Sequence, residues 1–599
     1  MLVCISHVDE SAAVHVGSRK GADLPWGLAT GLLAMSLMLA VSGLAQTIDR
    51  DARSATWHQQ QGISFLQKHD LQSALGELRS AVALNSSDPV SHDYLGVTLW
   101  ESGQVEAAIS EFESAIHLDE KSAVTHYHLA LAYDRMDREV QAIREYQQAL
   151  YRQPDLVAAR YGLSEVCQKV GDLDGSIQLL RAIVHTDPAF AEAHYNLGVQ
   201  LWQRYIDTFG LRHEEDLRGA IQELQTAIKV QPRQPAAYIA LAKIRSDNQD
   251  VGGAIETLKR AVEEAPDSPE CLYNYGLALR QHGDIDAAEV EFQGAIQRDP
   301  RYAPAHRLLG FVLRQKGELT EARDELHIAL RLDPNDAETH HNLGVVLLSL
   351  GDPDGAVGEL REAVRLDPYL SEARMNLVQS LQRAGQHEAA ERELSEAQKI
   401  DGEKAALART LAFLREGDAD SEGNDLLNAI ARYREGIRSS PEFPEVHYHL
   451  ALALERLGPG TGSECENELR RVLELKRSHA GAHNQLGVLL DRTGRTVEAA
   501  GEFHAAIDAA PGMVDAHRML ARYALRAKLW PEVIEESSAV LAWAPRDPEA
   551  QSWVGHALLE ERNWAEAIEA LKAAIAADGS SPEAHRDLAL ALKAGRSHE

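Results

Sequence analysis

A small residue directly behind a leucine or an equivalent apolar or polar neighbour returns with a step of 34, at Gly62, Gly96, Ala130, Ser164 and Gly198. After a longer gap it resumes at Ala242, Gly276, Gly310, Gly344, Val378 and Ala412, and it closes at Ala451, Gly487, Ala521, Gly555 and Ala589. Only Val378 departs from Gly, Ala or Ser. A chain that repeats itself at this period is an array rather than a set of compact domains. The 599 residues therefore do not translate into a count of globules.

Each repeat carries further marks in fixed order. Twelve residues past the register position stands a second small residue, such as Ala108, Ala254, Ala322 or Ala356, and four later a bulky one, such as Phe112, Tyr146, Phe292 or Phe503. Leu343, Gly344 and Leu347 share one helical face, and Ala356, Leu360 and Ala363 share another. Gly103, Gly171, Gly283, Gly317, Gly351, Gly385, Gly458 and Gly494 stand seven residues past the register position, where a left-handed residue ends a helix. Proline then stops the second helix, as at Pro154, Pro266, Pro334 and Pro368. Each unit is two helices in a hairpin, and one hairpin cannot cover its own apolar face, so neighbours must stack.

This pattern resembles the tetratricopeptide repeat family, with its W-x2-L-G-x2-Y…A-x3-F…P signature, and "HHNLGVVLLSLGDPDGAVGELREAVRLDP" (His340–Pro368) is a close example. The resemblance covers residues 55–599 and implies an all-α, right-handed superhelical solenoid. It would hold about fifteen antiparallel hairpins over 55–581 and a C-terminal solvating helix and tail over 582–599. Where the family has Trp, this chain mostly has His: His58, His92, His126, His194, His306, His340, His447, His483, His517 and His585. Extra residues fall in the fifth repeat ("YIDTFGLRHEED"), the eleventh ("REGDADSEGND") and the twelfth ("GPGTGS"). They are expected as loops between the two helices of a repeat.

The first 45 residues differ from the rest. Arg19 and Lys20 precede the apolar run "GLATGLLAMSLMLAVSGLA" (Gly27–Ala45), and residues 46–54 form a short linker. Gly43 and Ala45 suit a signal peptidase, and the run is also long enough for a retained membrane anchor. Either way the expectation is an exported, periplasmic or otherwise extracytoplasmic body, secreted or anchored by residues 27–45.

Chemistry is not signalled. The net charge of −32 opposes nucleic-acid binding. Cys4, Cys167, Cys271 and Cys465 are far apart, without C-x-x-C. The histidines recur once per repeat, about 10 Å apart, too far to share an ion, and are expected as packing residues at the hairpin seam. "DADSEGND" (Asp418–Asp425) opens like a calcium loop, but Ala429 stands where the bidentate Glu is needed. No metal, no cofactor and no catalytic residue are expected, and the chain reads as a non-enzyme.

The resemblance implies that first helices line a concave groove. Two residues before the register position come Asn196, Asn274, Asn342, Asn376 and Gln485, and beside them Tyr127, Tyr161, Tyr195, Tyr273 and Tyr448. An Asn amide both donates and accepts, so such a file can hold the backbone of an extended peptide. Alternatively, it is a tolerated polar file beside the core. Trp202, Tyr205 and Phe209 in the fifth repeat offer a second docking edge. An acidic file (Glu192, Glu270, Glu338, Glu372, Glu445, Asp515, Glu549, Glu583) suits helix N-termini and would favour a basic ligand if it faced the groove. The reading is a scaffold for protein or peptide partners, touching membrane only through its N-terminal segment if that is retained. The alternatives are an envelope-assembly or polysaccharide-export scaffold and, more distantly, the regulatory array of a transferase whose catalytic part is absent.

Overall fold

The computed structural model describes residues 53–207 and 214–595. The N-terminal apolar run, Cys4 and Phe209 lie outside them. The described residues form thirty helices and no strand, the all-α hairpin solenoid expected. No helix among them is long and apolar enough to cross a membrane. The chain divides into two compact units, Met1–Leu118 and Asp119–Glu599. The first holds two hairpins: α1 (residues 53–67) with α2 (Leu71–Leu84), and α3 (Pro89–Glu101) with α4 (Val105–Leu118). The second runs from α5 (Ala123–Arg135) and α6 (Glu139–Arg152) to α28 (Pro548–Glu560) and α29 (Trp564–Ala577), and ends on a single helix, α30 (Pro582–Gly595).

The register residue sets the helix spacing inside each hairpin. A Cβ on Gly344 would lie 2.5 Å from Cγ of Leu360, and one on Gly96 would lie 2.5 Å from the Phe112 ring. The missing side chain is filled by the bulky residue sixteen positions on, and Leu360 and Phe112 are fully buried. The turn is equally regular. Gly351 has φ 85°, and the same position is left-handed in repeats without glycine there: His69, Asp137, Gln249, Asn424, Lys528 and Arg562 have φ between 52° and 65°. Packing of the two helices imposes the turn even where the residue resists it.

One expectation needs correction. "REGDADSEGND" is not a loop between two helices. Its residues through Glu422 belong to α20 (His387–Glu422), a continuous 36-residue helix. The register residue of that repeat is Gly417, not Ala412. A Cβ on Gly417 would lie 2.5 Å from the Tyr433 ring, and Asn424, seven later, makes the left-handed turn. The five extra residues therefore lie between repeats. No Asp-Pro stops the preceding second helix there, so it runs straight into the next first helix. The other two insertions do separate the helices of a hairpin. In the fifth repeat α9 (Ala191–Asp207) and α10 (Glu214–Val230) lengthen to 17 residues each, and a short 3-10 turn (Pro459–Thr461) precedes α23 (Gly462–Leu475).

The second unit also packs against itself at long range. Helix α6 touches α27 (Trp530–Trp543). The Gly512 N–H donates to Asp172 Oδ2 at 2.5 Å, and Gln178 Nε2 donates to the Trp543 carbonyl at 3.3 Å. Lys121 Nζ lies 2.6 Å from Glu566 Oε1. Tyr151 packs against the cluster of Val540, Leu541 and Leu558. The sequence of α27 fits this contact. Ser538 and Ala542 stand where other second helices carry Lys259, Arg361 or Lys572, and Glu263, Arg331 or Arg365. Both are buried. The second half of α27, without charge on its outer side, is covered all round, while Glu532 and Glu535 in its first half are exposed. A Cβ on Gly512 would lie 2.6 Å from Asp172 Oδ2 and 2.7 Å from Gly175 Cα, so Gly512→Leu acts as a wedge. We expect it to abolish zero-length carbodiimide cross-linking of Lys121 to Glu566 while helicity is retained; an unchanged cross-link yield would refute the closure.

Candidate peptide-binding face

The histidines were expected as simple packing residues, and the structure gives them a partner. In nine repeats Nδ1 of the histidine meets a glutamate Oε2 of the second helix: His58–Glu77, His92–Glu111, His126–Glu145, His194–Glu223, His306–Glu325, His340–Glu359, His447–Glu468, His483–Glu502 and His517–Glu536, all at 2.5–2.7 Å. In all of these but His58, Nε2 meets the carbonyl six residues back, as His306 to Pro300 at 3.1 Å and His517 to Pro511 at 3.0 Å. Arg374 replaces the histidine in one repeat and keeps both contacts, to Glu393 at 2.6 Å and to the Pro368 carbonyl at 3.2 Å. His585, on the last helix with no second helix after it, keeps only the carbonyl of Gly579. Carboxylate and carbonyl both accept, so a ring that bonds to both donates from both nitrogens, as an imidazolium does, in keeping with the raised His306, His447 and His483. Each such histidine ties first helix, second helix and preceding turn together. The signal was present as a glutamate nineteen residues after the histidine, and a repeat scan for small and apolar residues passes over it.

The pairing has a pH consequence. His306 and His483 are raised above the ordinary 6.5 chiefly by their Glu325 and Glu502 hydrogen bonds. His447 is also raised; burial, the largest single effect, opposes this, and the Glu468 carboxylate and the Pro441 carbonyl together outweigh it. A group whose folded pKa is raised stabilises fully below its unfolded value, and that stability is lost as pH rises through the folded value. We expect the melting temperature to fall as pH rises above the ordinary histidine value of 6.5, and the fall to shrink in a Glu325→Gln, Glu468→Gln, Glu502→Gln variant. A melting temperature that holds or climbs over that range contradicts the imidazolium assignment.

First helices of successive repeats touch along the second unit, among them α15 (Ala303–Lys316) with α17 (Ala337–Ser349) and α17 with α19 (Ser371–Arg383). Along this face the Asn file is partly engaged. Asn196 Nδ2 donates to Tyr161 Oη at 2.9 Å, Asn376 Nδ2 lies 2.9 Å from His341 Nε2, and Asn274 Nδ2 donates to the Glu270 carbonyl at 2.8 Å. Asn342 is buried, and Gln485 is half-buried. Two of these bonds join one first helix to the next, a bracing role that the sequence did not reveal. The tyrosines are half-buried and lean on the turn beyond: Tyr161 on Phe190 (5.2 Å between ring centroids), Tyr273 on Tyr302 (5.4 Å) and Tyr448 on His479 (4.6 Å). Tyr127 lies 6.2 Å from Tyr146, and Tyr195 packs beside Leu197 and Leu201. Burial drives His479 down to about 4, consistent with its Nδ1 accepting the Ala482 N–H at 3.0 Å.

At the proposed second edge, Trp202 is half-buried with Lys243 Nζ 4.8 Å from its ring centroid, and Tyr205 is half-buried. Part of the acidic file is neutralised within the protein. Glu338 pairs with Arg307, Glu549 with Arg518 at 3.4 Å, and Glu445 lies 3.8 Å from Lys476. Asp418, considered above as a cation ligand, instead accepts the Tyr433 hydroxyl at 2.8 Å and faces His449 Nδ1 at 2.6 Å. No cluster of His, Cys, Asp and Glu among the described residues is placed to hold a metal. A cleft of about 550 Å³ near the C-terminus is lined by Glu549, His556, Asp578, Glu583, Arg586 and Asp587. There Asp587 is bridged by His556 at 2.8 Å and Arg586 at 2.9 Å. Cys167, Cys271 and Cys465 are buried and unbridged, and burial pushes their thiols up.

Stacked hairpins with a repeated inner file define a repeat scaffold of the kind that binds protein or peptide partners. Family models described as tetratricopeptide repeat match residues 59–123, 127–189, 211–273, 269–302, 347–412, 466–514, 484–548 and 554–599, and one described as TPR repeat matches 312–351 and 417–458. The chain belongs to the tetratricopeptide repeat family. That family's repeat fold is typically a non-catalytic scaffold. No curated protein matches the chain. Similar solved structures include the APC/C hetero-tetramer Cut9-Hcn1, with 14% identity, 90% of this chain and 96% of that chain covered, and a TM-score of 0.35. They also include YrrB, described as a TPR protein with an unusual peptide-binding site (18% identity, 32% and 95% covered, TM-score 0.26). A third is TTC0263, a thermophilic TPR protein in Thermus thermophilus (25% identity, 32% and 98% covered, TM-score 0.27).

Proposed function

We propose that this protein is a non-enzymatic scaffold that takes an extended segment of a partner protein along the face made by its first helices. The observation that carries this reading is the state of the Asn and Tyr file. Asn196, Asn274 and Asn376 are half-buried rather than core, and their amide nitrogens are already committed inside the protein. Each Oδ1 is thereby left as an acceptor for a ligand N–H, at intervals of two and three repeats along the face. Half-buried tyrosines beside them supply broad contact at low entropic cost. We further propose that the array works outside the cytoplasm, which rests on the apolar run Gly27–Ala45 and the basic residues before it. In a peptide-array screen of the full exported chain, changing Asn196, Asn274 and Asn376 together to Ala is expected to weaken the best ligands by at least about tenfold. Unaltered binding by that variant removes the Asn file from the function.

A further inference from the structure

In the hairpin of α11 (Pro235–Asp247) and α12 (Val251–Glu264) the histidine–glutamate clamp is absent. Tyr238 stands four residues before the register position Ala242, where the clamped repeats have histidine. Thr257 stands nineteen residues later, where most of them have glutamate. A third change accompanies these two. Three residues past the register position the neighbouring hairpins carry Leu201, Leu279 and Leu313, all buried, and this one carries Arg245. Relative to the clamped repeats, this seam has lost a carboxylate and gained a cation.

A cavity of about 430 Å³ opens at the seam, lined by α10, α11 and α12. Its walls hold Lys229, Arg245 and Arg260 against one carboxylate, Glu264. Arg245 is fixed in place. Its Nη1 donates to the Gly253 carbonyl at 2.9 Å and to Thr257 Oγ1 at 2.6 Å, and Thr257 Oγ1 donates to the same carbonyl at 2.7 Å. Asp250 approaches only its Nε, at 4.0 Å, and stands outside the lining, so Nη2 is left for a ligand. The Arg260 guanidinium carbon lies 5.9 Å from the centroid of the Tyr238 ring. Tyr238 lines the cavity and is only 1% exposed, yet its Oη has no hydrogen-bond partner. Burial pushes that phenol up, so it keeps its proton and is a donor. A buried hydroxyl left unpaired is costly, and it marks a place where an acceptor belongs.

Two guanidiniums, one ammonium and one phenol therefore face a single space with donors to give. An oxyanion is what such a set accepts. A carboxylate offers two oxygens and one charge. A phosphate monoester offers three oxygens and nearly two charges, which suits three cations offset by one carboxylate. The cavity is larger than a bare phosphate fills, and Ile228, Pro232 and Leu241 give it an apolar wall for an organic remainder.

We propose that this seam is a binding site for a small organic phosphate monoester. Arg245, Arg260, Lys229 and the Tyr238 hydroxyl hold the phosphate, and Ile228 and Leu241 pack on the organic part. The site is separate from the Asn file, whose position in this repeat is Ala240, and it does not depend on the peptide-binding reading.

The test is isothermal titration calorimetry of the full chain with phenyl phosphate, benzoate and inorganic phosphate. Phenyl phosphate is expected to bind at least about tenfold more tightly than either of the others, and its affinity should fall as salt rises. Arg245→Leu restores the residue of the neighbouring hairpins, so it should keep helicity and melting temperature while weakening phenyl phosphate at least about tenfold. Tyr238→Phe removes only the hydroxyl and should cost about fivefold. Absence of phenyl phosphate binding overturns the site. Undiminished binding by a folded Arg245→Leu variant puts the anion elsewhere and overturns it as well. Benzoate bound as tightly as phenyl phosphate overturns the assignment to phosphate, and inorganic phosphate bound as tightly overturns the organic part.

Discussion

The structure depends on one close contact, made in most repeats: a small residue on the first helix lets a large residue of the second pack closely against it. Gly344 with Leu360, Gly276 with Phe292 and Gly487 with Phe503 are the same contact, and a Cβ in the first position would come within 2.5–2.7 Å of the second. Because it is met within each hairpin, the interhelical distance stays uniform and every hairpin presents the same surface to the next. Stacking follows from that uniformity. The left-handed turn is subordinate to it, since His69, Lys528 and Arg562 are forced into a conformation they disfavour to keep the two helices in register.

The polar chemistry is laid over this frame and uses its periodicity. Eight histidines clamp first helix, second helix and preceding turn through a glutamate and a carbonyl, at a site where the family signature has an aromatic. The exchange turns part of an apolar seam into an ionic one. The inner file does a comparable job between repeats, through Tyr161 with Asn196 and His341 with Asn376. Polar residues next to the core thus serve assembly between repeats.

The departures from periodicity carry the individuality of the chain. Helix α20 runs through a repeat boundary because no proline interrupts it. Helix α27 has Ser538 and Ala542 in place of charge and is buried by a contact with hairpins far back in the second unit. Arg280 and Arg314 stand over one ring, Phe311, at a position where the neighbouring repeats carry no cation. Each departure is visible as letters in the sequence, but its meaning depends on which distant residue it meets.

What the sequence determined by itself is therefore everything that repeats: the hairpin, its close contact, its turn, its stacking and the file of residues on the first helix. These are local, fixed by spacings of a few turns, and reinforced many times over. Only the tertiary structure decided that glutamates pair with the recurrent histidines, that Gly417 rather than Ala412 keeps the register, that Asn342 is buried while Asn196 and Asn376 brace their neighbours, and that Gly512 meets Asp172. Those contacts join residues from about twenty to several hundred positions apart. Periodicity says which face a side chain occupies, and only the accumulated course of the stacked helices says what it finds there.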